Sequence, residues 1–417
     1  MPDRYYLHLS KKDYIERWQD YKSYFQDDDL EAVQRPMCDA LRRLLQSLME
    51  AERTAQVGAW PHKRSKRRTD RRNGYYRRNL LTAFGMVRAL LVPRLRKGRL
   101  KTGVFTLYRR RWRSIDNYVR ALFIGGASTR EVGELLDRLW GVRLSASAVS
   151  EIARVLDDEV KKFHRRELSD EYRFLVLDGV WVKVSGYKVV KKVVLVAYGV
   201  RADGRREIID FRLARSESER EWEVFLEDLR RRGVKGAQLK LITVDGGGGL
   251  NAAQAVVYPD VARQRCWVHK LRNVANKLKA KHREECLRGA RRIYQAKSYR
   301  AANRRCRQWA KKWRKLESKA VACLEGDIEE LLVHMRVLRK EPELWKKVRT
   351  TNVIERQFRE LRKRTRPMCT FANDESCARI VCALFQKANR RWEQRWECER
   401  RFQARSRATS KARKLAA

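Results

Sequence analysis

No run of this sequence is apolar for long enough to cross a bilayer, which takes about 20 such residues. Its first residues, MPDRYYLHLSKKDY, contain no secretory apolar segment. A membrane protein and an exported one are therefore not expected; a cytoplasmic chain is. Nine cysteines are scattered without a C-x-x-C pair, which favours reduced thiols over a disulfide framework. There is no internal repeat. Negative charge is in short supply: 51 acidic residues face 98 basic ones, a net charge of +47. Self-repulsion of that size opposes compaction and calls for a polyanionic partner. Nucleic acid leads, and a ribosome-associated protein or an RNA enzyme also fits at this level. Basic residues recur from Lys63 to the C-terminal tail, so a single targeting signal does not account for them. Aliphatic and aromatic residues are plentiful enough to build cores, which excludes a merely disordered basic protein. At 417 residues, two to four domains are expected.

Residues 30–50 place Leu30, Val33, Met37, Leu41, Leu44, Leu45 and Leu48 on one helical stripe. The stripe suits a core-facing helix, with self-association as the alternative. A basic arm follows, with Lys63, Arg64, Lys66, Arg67, Arg68, Arg71, Arg72, Arg77 and Arg78. Such runs are usually solvated faces. This one leads into alternating apolar residues broken at Phe84-Gly85, which predicts a hairpin and a clamp on the DNA backbone. Beyond Ser114 the pattern turns helical. Ser128 and Glu131 form a capping box, Gly141 stops that helix, and Ser145 can cap the next. Three short helices of this kind suit a helix-turn-helix, with Ser147 and Ser150 near the start of the helix that would enter a major groove. A plain helical bundle is the alternative.

From Tyr172 the period changes to that of strands. YRFLVLDGVWVKV, KKVVLVAYGV and RREIIDFRLA predict an antiparallel meander, followed by helix, strand, helix and a strand at ARQRCWVH. That order predicts a mixed α/β sheet. Asp178 and Asp245 are expected at strand ends beside glycines, where each taken separately could be only a turn. Glu355 sits among arginines, and with Asn352 it could be no more than a capping box. Taken together the three carboxylates suffice for phosphodiester chemistry, in which two divalent ions roughly 3.5–4 Å apart activate the attacking oxygen and stabilise the leaving one. Hard oxygen ligands suit Mg²⁺ (or Mn²⁺). Arg356, Arg359, Arg362 and Arg366 would hold phosphates beside Glu355.

The stretches LDGVWVKV, VDGGGGL, QRCWVHKLRNV and TTNVIERQFRELRKRTR, in this order, resemble a Mutator-type transposase of bacterial insertion sequences. The segments RNGYYRR, PRLRKG, VFTLYRRR and FIGGASTREV resemble that family's N-terminal half. The likeness runs from about Arg71 to Thr370. It implies an RNase H-like catalytic core with a helical insertion, in which Asp178, Asp245 and Glu355 are catalytic and hold the metal. It also implies that Cys266 and His269 stand at the edge of the active site. The activity implied is metal-dependent strand cleavage and strand transfer at terminal inverted repeats, by a homodimer on double-stranded DNA near the bacterial nucleoid. The run Gly246 to Gly249 departs from the family, where bulkier residues are expected. The rival readings are a non-catalytic, domesticated DNA-binding relative and a nuclease or RNA-processing enzyme on the same core.

The expected organisation is helical over 1–60, with dimerisation as one role, then basic arm and hairpin over 61–113 and a helix-turn-helix-like part over 114–166. The core would occupy 167–269, a helical insertion 270–345, the core's C-terminal helices 346–390 and a basic tail 391–417. Trp309 and Trp313 in the insertion are read as core packing, one helical turn apart. Cys266 and His269, followed by His282 and Cys286, imitate a zinc finger's spacing. No zinc is expected, because a continuous helix would hold the two histidines about 20 Å apart.

Overall fold

In a computed structural model the described residues are 30–104, 111–125, 127–140, 142–185 and 188–415. Residues 1–29 of the expected helical segment, and the stop at Gly141, lie outside the described residues. The chain forms two compact units, Met1–Arg154 and Val155–Ala417.

In the first unit, helix α1 (Leu30–Val57) lies along a hairpin of β1 (Arg72–Thr82) and β2 (Gly85–Leu95). The hairpin turns at Ala83-Phe84 as expected, with the Thr82 hydroxyl donating to the Gly85 carbonyl at 2.9 Å. Leu45 and Met49 of α1 meet Leu80, Val87, Leu90 and Val92 in one core. The expected stripe is thus split. Met37, Leu44 and Leu48 are exposed, because the hairpin covers only the neighbouring face. Three further helices, α2 (Arg113–Gly125), α3 (Thr129–Trp140) and α4 (Ala146–Arg165), bury Ile115, Val119, Val132, Leu136, Val149 and Ile152 together. The capping box closes α3 from both sides: Ser128 N–H donates to Glu131 at 2.6 Å and Glu131 N–H to the Ser128 hydroxyl at 3.2 Å. Ser145 caps α4 by accepting from Ala148 N–H at 3.2 Å.

In the second unit, β3 (Tyr172–Val184), β4 (Val190–Arg201) and β5 (Arg206–Ala214) form the expected meander. The chain then runs through α5 (Glu219–Arg231), β6 (Leu241–Val244), α6 (Gly248–Val257) and β7 (Ala262–Arg265). The strand order is β5-β4-β3-β6-β7, with β6 parallel to both β3 and β7. The sheet is therefore mixed. Because strand side chains alternate between faces, Leu175, Leu177, Ile242 and Val244 pack under α5 and α6, while Phe174 and Leu241 face the opposite side.

Helix α7 (Trp267–Ala275) begins where a strand was expected to continue, so β7 ends at Arg265. Three helices follow it, α8 (Ala280–Tyr294), α9 (Tyr299–Trp313) and α10 (Ser318–Glu325). The shorter α11 (Ile328–Leu331), α12 (Val333–Val337) and α13 (Trp345–Val348) complete the stretch. These helices share one apolar cluster with the Phe174 face of the sheet, including Trp267, Trp309 and Trp313. Trp309 and Trp313 are core residues, as expected. The last elements are α14 (Asn352–Met368) and the long α15 (Asp374–Leu415), with Phe385 of α15 edge-on to Phe211 of β5 at 5.6 Å.

Candidate active site

Asp178 does not end its strand. It lies mid-way along β3, opposite Val196 of β4, on the same face as Phe174 by the two-residue period. Its side chain is buried. One oxygen accepts the Gly179 N–H at 2.9 Å, and the other, Oδ2, is buried without a hydrogen-bond partner. Burial, above all, pushes this carboxyl up to about 8. The charges of Asp245 and Glu355 add to the rise, against hydrogen bonds from Gly179 and the Thr351 hydroxyl.

Asp245 follows β6 and accepts the Gly247 N–H at 2.8 Å. The turn needs glycine next: Gly246 has φ +94, and a Cβ there would lie 2.5 Å from the Arg265 guanidinium.

Glu355 is placed by the start of α14. No capping box forms at Asn352. That residue is exposed and already helical, Thr351 is the N-cap, and no side chain caps it. The Glu355 carboxylate is thereby free to turn to the sheet. Its Oε1 lies 3.4 Å from His269 Nε2 and 3.6 Å from Arg272, and is buried without a hydrogen bond. Donor atoms of Asp178, His269 and Glu355 lie within 4.8 Å of one another. Asp245 stands outside that set, yet its charge reaches Asp178, His269 and Glu217.

Cys266 and His269 lie at the first turn of α7. The Cys266 thiol is buried, accepts the Thr351 N–H at 3.3 Å, and is pushed up chiefly by burial. His269 is held below its usual range by burial, against the opposing pull of Glu355 and Asp245. The continuous helix expected between the two histidines of the zinc-finger spacing does not form: α7 ends at Ala275 and α8 starts anew at Ala280. His282 pairs with Glu317 at 2.8 Å, and Cys286 is buried among the helices after β7.

Two neighbours carry no sequence signal. Glu217 is half-buried, and burial first, then the Asp245 charge, raises its carboxyl. A Cβ on Gly179 would come within 2.9 Å of Glu217 Oε1 and 3.0 Å of Val193, so a larger residue there would push Glu217 aside. Arg272, the second neighbour, was indistinguishable from the other arginines of a basic stretch.

Of the basic residues, Arg356, Arg359, Arg362 and Arg366 are all exposed along α14. In the first unit Lys63, Arg64, Lys66, Arg67, Arg68, Arg71 and Arg77 are exposed, and Arg78 is half-buried. Arg72 turns inward instead, donating to Thr54 Oγ1 at 3.1 Å and the Ala59 carbonyl at 2.8 Å. Ser147 is exposed, and its hydroxyl lies 2.9 Å from that of Ser145; Ser150 is half-buried.

The profile of the Mutator transposase family matches residues 11–395. The transposase for insertion sequence element ISRM5 of Rhizobium meliloti is 35% identical over 355 residues, covering 85% of this chain and 88% of that protein. The transposase for insertion sequence element IS256 in transposon Tn4001 of Staphylococcus aureus is 30% identical, covering 84% of this chain and 90% of its own. That for IS905 of Lactococcus lactis is 28% identical over 357 residues.

Proposed function

The chain belongs to the Mutator family of transposases, and from that premise we propose that its second unit is an RNase H-like core that cuts and rejoins DNA strands with divalent metal. The observation that carries this reading is the pair of buried carboxylate oxygens, Asp178 Oδ2 and Glu355 Oε1, that lack any hydrogen-bond partner. A buried carboxylate oxygen without a hydrogen bond is costly, and a cation between the two removes that cost. The donor set fits Mg²⁺ or Mn²⁺ held by Asp178, Asp245 and Glu355. A bound pair of ions would make an attacking oxygen more nucleophilic and stabilise the leaving one. His269, whose proton affinity burial lowers, is fit to accept a hydrogen bond at the edge of this cluster, and Cys266 positions it through Thr351. The exposed arginines of α14 supply phosphate contacts beside Glu355.

The basic arm, without Arg72, would grip the DNA backbone, and α2 to α4 would read the element's terminal inverted repeats as a helix-turn-helix, with Ser147 and Ser150 toward the bases. Both transposon ends must be held, so a homodimer on double-stranded DNA follows; the exposed Met37, Leu44 and Leu48 supply an apolar face for it. The reading is tested by a strand-transfer assay with a labelled candidate end. Metal-dependent joining supports it. Binding without cleavage would instead mark a DNA-binding relative, and cleavage without joining a nuclease.

A further inference from the structure

A cavity of about 550 Å³ opens on the second unit, beside the carboxylate cluster but separate from it. Its volume is that of a small-molecule site, about 300–1,000 Å³. Its floor is buried aromatic surface from Phe174, Tyr198 and Trp267, and its walls are Tyr294, Trp392 and Trp396. Around the mouth stand the exposed cations Lys346, Lys347 and Arg356, none with a carboxylate partner among the described residues. The one carboxylate in the lining, Glu399, is held by Arg395 at 2.9 Å. An anion with a flat apolar body matches this lining. A neutral apolar ligand would leave the cations unanswered, and a bare phosphate would leave the aromatic walls unfilled.

The polar edges of two of these rings are already committed. Trp267 Nε1 donates to the Leu331 carbonyl at 2.7 Å and Trp396 Nε1 to the Asp203 carbonyl at 3.1 Å. The ring faces already carry guanidinium groups: Arg349 over Tyr294 at 4.4 Å, Arg206 over Trp392 at 5.8 Å, and Arg205 and Arg400 over Trp396 at 5.0 and 5.2 Å. A base entering here joins a layer of rings and guanidinium planes, which stacks on any base without reading its sequence. A paired base hides its faces in the stack, so the ligand that fits is an unpaired nucleotide. Position supplies the rest of the argument. Phe174 is four residues upstream of Asp178 on β3 and shares its face, about 13 Å away at ~3.3 Å per residue. Arg356 follows Glu355 directly on α14.

We propose that this pocket receives an unstacked nucleotide of the DNA strand that flanks the reacting bond, its base against Tyr294, Trp392 and Trp396 and its phosphate among Lys346, Lys347 and Arg356. The pocket then holds the strand in register with the carboxylates and sets how far the duplex must open. This rests on the proposed transposase chemistry, and the test separates the two.

The full-length protein is titrated with a short oligothymidylate carrying a central 2-aminopurine, and separately with a random duplex. Trp396→Ala, and the double variant Lys346→Ala/Lys347→Ala, are each expected to weaken single-strand affinity by at least about fivefold. The duplex is expected to bind both variants as it binds the wild type, and Trp396→Phe, which keeps a stacking face, should recover most of the loss. Unchanged single-strand affinity in the lysine variant, whose side chains are exposed and whose fold is checked by circular dichroism, overturns the proposal. So does an equal loss for single strand and duplex. If the wild type never cleaves or joins DNA but the variants behave as expected, the transposase chemistry fails and the pocket stands. If it joins strands while the variants bind single strands unchanged, the pocket fails alone.

Discussion

Thr351 donates its backbone N–H to the Cys266 thiol at 3.3 Å. Cys266 immediately precedes the helix that carries His269, and Thr351 immediately precedes the helix that carries Glu355. A second strut, from Trp267 N–H to the Arg349 carbonyl at 3.1 Å, runs beside the first. The two helix starts are thus fastened to each other, and Cys266 N–H fastens the pair to the end of β6 through the Val244 carbonyl at 2.8 Å. A cysteine that looks like a metal ligand works here as a joint.

Replacing Cys266 by valine leaves the buried Thr351 N–H without an acceptor, which costs about 1–3 kcal/mol. Strand joining should fall with it, while Cys266→Ser keeps an acceptor and most of the activity. Thermal melts and joining assays check both. One zinc per chain, lost in Cys266→Ser, would reverse the assignment.

Asp178→Asn, Asp245→Asn and Glu355→Gln should each reduce cleavage and joining to a few per cent or less, because each removes a cation ligand and leaves the phosphate-binding cations in place. Binding to a transposon end should persist. Glu217→Gln, which alters a neighbour rather than a ligand, should lower joining by about tenfold, on the order of 1.4 kcal/mol. Gel-shift and joining assays run in parallel separate the two effects. Robust joining by any of the first three removes that residue from the site.

The metal-free protein should lose stability as pH rises from about 4 to about 8. Asp178 is raised from 3.8 to about 8 on folding, so the folded state binds the extra proton across that window and its advantage disappears as the proton leaves. A rise of about four pH units at ~1.4 kcal/mol each puts the contribution at about 6 kcal/mol or less. Denaturation curves of wild type and Asp178→Asn across this range provide the check. The asparagine variant should lack this part of the slope, and divalent metal should flatten it in the wild type. Parallel curves would mean that Asp178 titrates normally.

Neutralising Arg67, Arg68 and Arg71 should weaken binding to every duplex and reduce the salt dependence, by ~0.9 in log–log slope for each phosphate left without its cation. Bulky residues at Ser147 or Ser150 should instead cost preference for the transposon end, ~1–3 kcal/mol for a good base contact. Titrations of both sets on end and random DNA at several salt concentrations distinguish them. If the serine variants keep their preference, the start of α4 is structural.

The sheet was legible because its strands carry short apolar runs, buried on both faces at the centre, and its helices are amphipathic, from Tyr172 through Arg265. The caps of α3 and α4 were legible for the same local reason. Features set by distant partners were not. Asp178-Gly179 reads as a turn, yet β4 pairs along its whole length and keeps the aspartate inside β3. Asn352 is a better N-cap than Thr351 by residue type, but the Cys266 thiol holds Thr351 in that place. The stripe on α1 gave the right helix and only part of its inward face, since the hairpin covers Leu41 and Leu45 but not Met37, Leu44 or Leu48. Glu217 sits in SESER, where every acidic residue looks alike; only its approach to Gly179 sets it apart.

The helical stretch between β7 and α14 also orders events in time. A ribosome delivers Asp178, then Asp245, then all of that stretch, and only afterwards Glu355. At ~5–20 residues per second, Glu355 follows Asp178 by roughly 10–35 s. On the proposed chemistry, a nascent chain passes that interval with its basic arm already exposed and its catalytic set incomplete. Arrested nascent chains ending before Asn352 should therefore retain DNA but not cut it, as a pull-down and a cleavage assay on stalled ribosomes would show. A cut by such a chain would place the third ligand elsewhere. On that chemistry, late completion would let each copy settle on DNA close to where it was made before it could break a strand.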